Sequence, residues 1–142
     1  MNIYFACSIT GGREFEPVYQ AITGALLADG HAVPTAHLAD PGVKALEAVV
    51  SPREVYERDV AWIEACDALI AEVSTPSHGV GYEVAFALSI GKPVLCVHRE
   101  GQAVSKMLTG NTHARLQVKT YRQAGEAVEI VRTFLAERPP NL

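Results

Sequence analysis

The chain is 142 residues long, with 49% apolar and 20% charged residues. That is one ordinary domain with enough apolar side chain for a buried core, which excludes a disordered chain and leaves no room for two domains. Twelve Lys and Arg against sixteen Asp and Glu give a formal charge of −4, and a net acidic chain argues against a nucleic-acid polymer as partner.

The opening MNIYFACSIT reads as a strand, Ile3 to Ser8, and not as a signal peptide. Thr10-Gly11-Gly12 is a turn. From Glu14 to Asp29, Val18, Ile22, Ala25 and Leu26 recur at helical spacing, and Gly30 is the stop. His31 to His37 is a weaker strand that Pro34 pushes to a sheet edge. Leu38 to Ser51 is the least patterned stretch, either a mobile loop or a carrier of one short helix, with a turn at Pro41-Gly42. Ser51, Pro52 and Glu54 form a capping box with proline at the first helical position. The helix behind it has the apolar stripe Val55, Trp62, Ile63, Cys66.

Ala68 to Val73 is a compact strand, and the loop Ser74 to Gly79 leads into a helix from about Val80 to Ile90. Gly91-Lys92-Pro93 stops it. Val94 to His98 is a strand, Gln102 to Leu108 a short helix and Leu116 to Val118 a last strand. Ala124, Ala127, Val128, Val131, Phe134 and Leu135 mark a closing helix that Pro139-Pro140 ends. Five alternations of strand and helix predict a single three-layer α/β domain over residues 1–142 with a five-stranded parallel sheet. Its ligand crevice is expected beyond the carboxyl ends of the strands, at the loops after Ser8, Val73 and His98.

No apolar run approaches the roughly 18 residues of a membrane-spanning helix, so no membrane partner is expected. Cys7, Cys66 and Cys96 lie in or beside apolar segments without a CxxC, which reads as free thiols in a cytoplasmic protein. The five histidines lack the spacing of a zinc site, and no metal is expected.

Two carboxylates stand out. Glu83 is three residues after Val80 and four before Ala87, at the border of a buried stripe near a helix start. A carboxylate nucleophile and a plain N-terminal charge preference both fit that place. Asp59 lies four after Val55 and three before Trp62, where it interrupts an apolar face, while Glu57 and Arg58 are expected to point elsewhere. Either a catalytic role or a structural ion pair accounts for it. A pair of half-buried carboxylates on separate helices is the equipment of glycosidic-bond chemistry, which transfers to N-glycosides and needs no cofactor.

The loop Ser8-Ile9-Thr10-Gly11-Gly12-Arg13 offers hydroxyls, backbone N–H groups and a guanidinium for an anion, or is an ordinary turn. Ser77-His78-Gly79 offers the same before the next helix, where Ser77 either donates to a phosphate or caps. His37 ends the second strand near that crevice and is a candidate contact to a base, or simply structural. Tyr4 faces the pocket or the core, Tyr19 is equally open, and Cys7 reads as a buried thiol.

Tyr4–Arg13 (YFACSITGGR), Thr35–His37 (TAH), Glu57–Asp59 (ERD), Ala71–Glu83 (AEVSTPSHGVGYE) and Ser105–Met107 (SKM) occur in one order. Together they resemble the nucleoside 2-deoxyribosyltransferase superfamily, and within it the 2'-deoxynucleoside 5'-phosphate N-hydrolase branch, from Ile3 to about Tyr121. The resemblance implies a Rossmann-like (flavodoxin-like) fold and a homodimer. It implies that Glu83 attacks C1' and that Asp59 positions the sugar and assists the leaving group, with Tyr4 beside the nucleophile. It assigns Ser77 and Gly79 to a phosphate loop, Ser105 to the partner subunit's phosphate site, and His37 and Tyr19 to the base side. Residues 7–13 and the Ser105-Lys106-Met107 block are the remaining substrate-binding candidates. Cys7 stands where the family usually has Gly, and Thr10 where the hydrolase branch often has Arg; Lys106 is the candidate replacement charge. The expected substrate is a (deoxy)nucleoside 5'-monophosphate, hydrolysed to free base and (deoxy)ribose 5-phosphate. Base exchange between nucleosides and nucleotide sensing without turnover are the alternatives.

Overall fold

The computed structural model describes residues 1–138. Four parallel strands form one sheet in the order β1 (Ile3–Ala6), β2 (Ala68–Glu72), β3 (Val94–Arg99), β4 (Leu116–Tyr121). Tyr4 stands opposite Leu69, Ala71 opposite Cys96, and Cys96 opposite Val118. The first two strands are buried throughout, as a parallel sheet covered on both faces requires. β4 is the exposed edge, with Lys119 and Thr120 in solvent, while β1 at the other edge is flanked by the chain around Ala32. No helix among the described residues is long and apolar enough to cross a membrane.

The fifth strand is absent, and Pro34 is the reason. The segment after Gly30 does approach β1: Ala32 N–H donates to Met1 O at 2.9 Å and Ile3 N–H donates to Ala32 O at 2.8 Å. A parallel ladder next requires an N–H from residue 34, and proline has none. The Thr35 hydroxyl then accepts the Phe5 N–H at 2.8 Å in place of a strand carbonyl. The chain turns away into a 3-10 helix, Ala36–Ala39.

Of the two readings of Leu38 to Ser51, the short helix is the one observed. α2 (Val43–Ala48) follows the 3-10 turn and anchors itself through buried Val43. α1 spans Glu16–Ala28, and Gly30 reverses the chain behind it with φ of 84°. α3 (Pro52–Ala65) opens on the capping box: the Ser51 hydroxyl accepts from Glu54 N–H, and the Glu54 carboxylate from Ser51 N–H. α4 (His78–Ser89) starts two residues earlier than its apolar period, because Ser77 caps it by accepting from Val80 N–H at 3.3 Å. α5 is a single turn, Lys106–Thr109, and α6 spans Ala124–Ala136. The Pro139-Pro140 stop lies outside the described residues.

Strand alternation divides the core. Ile3, Phe5, Ile70, Leu95 and Val97 face one side, where α1 and α6 cover them with Tyr19, Ile22, Val131 and Phe134. Tyr4, Leu69, Ala71 and Cys96 face the other, under Ile63 of α3 and Val80, Val84 and Ala87 of α4. Polar groups interrupt this apolar pattern at three places: the Tyr4 hydroxyl of β1 on the α3/α4 side, the Glu72 carboxylate at the end of β2, and His98 near the end of β3.

Candidate active site

β1, α3 and α4 bring three side chains together. Tyr4 is fully buried on β1, and its hydroxyl donates to Glu83 Oε2 on the second turn of α4. Glu83 and Asp59 are both half-buried. Burial pushes the Glu83 carboxyl up to about 7; the Tyr4 hydrogen bond opposes this, the Asp59 charge adds to it, and Arg58 opposes it. Burial likewise raises Asp59, against the neighbouring Arg58. The Tyr4 phenol is driven far up by burial and then by the Glu83 and Asp59 charges, so it remains a donor at every working pH. Two close carboxylates with raised pKa values and a fixed phenol donor form a unit able to attack an electrophilic carbon and to move a proton.

Arg58 does not point away from Asp59. Its Nε donates to Asp59 Oδ1 at 2.9 Å and its Nη2 to the Glu47 carboxylate at 3.1 and 3.3 Å. The guanidinium lies over the Trp62 ring, 4.8 Å from its centroid. Consecutive residues reach one another here because a long arginine side chain folds back along the helix surface onto half-buried Trp62. Glu47 Oε1 also pairs with His37 Nε2 at 2.9 Å, and the His37 ring meets Trp62 edge-on at 6.1 Å. A line of polar contacts thus runs His37, Glu47, Arg58, Asp59, and it ties α2 to α3.

The sequence assigns no site role to Glu47, nor to Arg58, expected to point elsewhere, nor to Trp62, expected only in the apolar stripe. Nothing local marks Glu47, whose position depends on where α2 docks. Arg58 and Trp62 carried a legible signal, a cation four residues before an aromatic ring on one helix face.

The loop after β1 lies against the loop after β2. A methyl group on Gly11 would come within 2.5 Å of Pro76 O and 2.9 Å of Ser8 Oγ, so only glycine lets the two loops approach this closely. Ser8 is fully buried, and its hydroxyl has no hydrogen-bond partner. Ile9 is half-buried, Thr10 and Gly11 are exposed, and Gly12 has φ of 130°. Arg13 is engaged in holding loops together. Its Nε donates to Glu16 Oε2 at 2.9 Å, Nη1 to Leu38 O at 2.8 Å and Ser8 O at 3.2 Å, and Nη2 to Asp40 O at 3.0 Å. Cys7 is a buried thiol that burial pushes up to about 12, which makes it inert as a nucleophile.

Ser77 is half-buried, and Gly79 is exposed on the first turn of α4, below Glu83 in the same helix. Tyr19 lies in the core cluster on the α1/α6 side, edge-on to Phe5 at 6.2 Å, with an unpartnered hydroxyl. Ser105, Lys106 and Met107 are exposed on α5, where the Ser105 hydroxyl accepts from Met107 N–H at 3.2 Å. Among the described residues none of their hydrogen bonds reaches Tyr4, Asp59 or Glu83.

The nucleoside 2-deoxyribosyltransferase family model matches residues 3–129. A Methanococcoides burtonii protein named "Putative 2'-deoxynucleoside 5'-phosphate N-hydrolase 1" is 43% identical over 121 residues, covering 85% of this chain and 99% of that one. The 5-hydroxymethyl-dUMP N-hydrolase of Mus musculus is 37% identical over 143 residues, covering 97% of this chain and 82% of the relative. Clostridium botulinum CMP N-glycosidase, BcmB, superposes with a TM-score of 0.69 over 93% of this chain and 99% of its own, at 18% identity, a likeness of fold. The chain belongs to the nucleoside 2-deoxyribosyltransferase family.

Proposed function

We propose that the protein hydrolyses the N-glycosidic bond of (deoxy)nucleoside 5'-monophosphates, with Glu83 as nucleophile. The observation that carries this reading is the Tyr4–Glu83 hydrogen bond, with the Asp59 charge acting on the same carboxylate. The names borne by the relatives, nucleotide N-hydrolases, agree with it.

In the first step a Glu83 oxygen bonds to C1' as the C1'–N bond breaks. The electron pair stays with the base nitrogen, which takes a proton. Asp59, whose carboxyl burial holds above its ordinary range, is the proton source. In the second step water attacks C1', the ester bond to Glu83 breaks, and Asp59 recovers a proton. The Tyr4 hydroxyl holds the Glu83 carboxylate in one orientation throughout and limits its basicity. Ser77 and Gly79, at the N-terminus of α4, receive the 5'-phosphate. His37 and Trp62 face the base, and Tyr19, buried in the α1/α6-side core, supports that side through Arg13, whose guanidinium lies 5.3 Å from its ring centroid.

The working form in this reading is a homodimer in which Ser105 and Lys106 of one subunit complete the phosphate site of the other. Exposed Met107, Tyr56 and Tyr82 support it, since they leave apolar surface uncovered on α5, α3 and α4.

Base exchange with unphosphorylated nucleosides is the second reading. One observation favours it: the arginine of the first loop already donates to three carbonyls and Glu16, so that loop brings no further cation to a phosphate. Chromatography of free base decides between them. The panel holds deoxy- and ribonucleoside monophosphates and the matching nucleosides, each with and without a second base. Release from monophosphates alone is the expected result. New nucleosides built on the second base would establish exchange instead.

A further inference from the structure

We propose that Glu72, which takes no part in the reaction above, is a positioning residue that sets the phosphate loop and thereby the affinity for the 5'-phosphate. The inference rests on the reading of Ser77 and Gly79 as that loop. Glu72 is the last residue of β2, a carboxylate with no exposed surface at the end of an otherwise apolar strand. Such a group is costly to bury without partners. Both its oxygens are engaged. Oε1 accepts the Ser74 N–H at 2.5 Å, and Oε2 accepts the Tyr121 hydroxyl at 2.9 Å.

These two bonds do different things. The Tyr121 bond reaches from β2 across β3 to the end of β4 and fixes the carboxylate against the sheet. The Ser74 bond takes hold of the chain two residues later, where the strand has ended and the loop begins. Ser74 is held a second time, because its own hydroxyl accepts the Arg99 N–H at the end of β3 at 2.8 Å. Further along, the Pro76 carbonyl is in tight approach to Gly11, and Ser77 caps α4. The loop from Ser74 to Ser77 is therefore pinned at its root by Glu72 and at its end by the helix it starts.

Two further observations mark this place as built for more than stability. The hydroxyls of Ser8 and Tyr19 are buried with no hydrogen-bond partner in the adjoining loop and helix. A core selected for stability alone satisfies such groups. By strand alternation the carboxylate also shares the α1/α6 side of the sheet with Ala68 and Ile70, whereas Glu83 belongs to α4, which covers the opposite face.

The test compares wild type with Glu72→Gln, Glu72→Leu and Tyr121→Phe. Gln keeps an oxygen for Ser74 N–H, and Leu removes both bonds. The readouts are KM and kcat for a deoxynucleoside 5'-monophosphate, inhibition by inorganic phosphate, direct calorimetric binding of inorganic phosphate, and Tm. Glu72→Leu is expected to raise KM and weaken phosphate binding by about tenfold or more, with kcat within about twofold of wild type. Glu72→Gln restores most of the affinity, and Tyr121→Phe falls between. A lowered Tm with unchanged KM and phosphate affinity would overturn the proposal, as would a kcat loss at constant KM. Should Glu72→Leu fail to fold, Glu72→Gln and Tyr121→Phe decide by the same split. A wild type that releases no base defeats the proposed reaction but leaves phosphate binding to decide the role of Glu72. A wild type that releases base yet binds no phosphate keeps the reaction and defeats Glu72 in this role.

Discussion

The hydroxyl of Tyr4 donates a hydrogen bond to the carboxylate of Glu83, joining the first strand to α4 across 79 residues of sequence. Burial alone favours the neutral acid at Glu83, and a neutral acid is no nucleophile. The phenol partly offsets that burial and fixes one oxygen, which in the proposed reaction leaves the other to attack. Tyr4→Phe removes the donor without changing shape. Its kcat is expected to fall by about 10- to 100-fold, in the range of a lost catalytic hydrogen bond. The acid limb of its kcat/KM profile should also move above the wild-type midpoint near 7, because the bond that opposed protonation is gone. An unmoved limb would separate Tyr4 from Glu83.

Burial of the Glu83 carboxyl costs stability at high pH. Its carboxyl titrates near 7 in the folded chain against 4.5 unfolded, so the folded protein holds the proton more tightly. Stability contributed by this group is full below pH 4.5 and is lost as pH rises through 7. Glu83→Gln, which cannot ionise, should be more stable than wild type at pH 8 by up to about 3 kcal/mol. The difference should vanish below pH 4.5. Thermal melts across that range check it, and a Gln variant less stable at pH 8 would contradict it.

Arg58 is the link between the Asp59 carboxylate and α2. Arg58→Ala removes the bonds to Asp59 and Glu47 and the cover on Trp62. The Glu83 and Asp59 carboxyls, both lowered by that charge, should rise further. Activity should therefore drop more at pH 6.5 than at pH 8.5, and amide exchange over residues 43–48 should quicken. Unchanged exchange in α2 would show that the ion pair does not hold it.

How far a sequence discloses such a site depends on whether the signal is local. The position of Asp59 on an apolar stripe and of Glu83 at the edge of another is local, and both are half-buried beside one another's helices. The Ser51 capping box is local as well. Glu47 meets Arg58 only through the docking of a six-residue helix, which no periodicity encodes. The missing fifth strand is an intermediate case. Pro34 marked it as weak, but the Thr35 hydroxyl that ends the ladder depends on its partner strand. Glu72 was visible as the one charge in ALIAEV and only the fold shows what it holds.

That exchange of ladder for hydroxyl is measurable. Thr35→Val keeps the shape and leaves the buried Phe5 N–H without an acceptor. A loss of about 1–3 kcal/mol is expected by denaturant titration, the usual cost of an unsatisfied buried donor. A loss within error of zero would mean that another acceptor, such as a repositioned carbonyl, serves Phe5.

The most direct measurement is base release from a deoxynucleoside 5'-monophosphate by wild type and by Glu83→Ala, with nucleotide binding followed in parallel. Wild type should release base and sugar phosphate in equal amounts. The variant should lose about 1,000-fold or more in kcat while still binding nucleotide, the pattern of a removed nucleophile. A Glu83→Ala enzyme that retains turnover within about tenfold of wild type would contradict the assignment of Glu83.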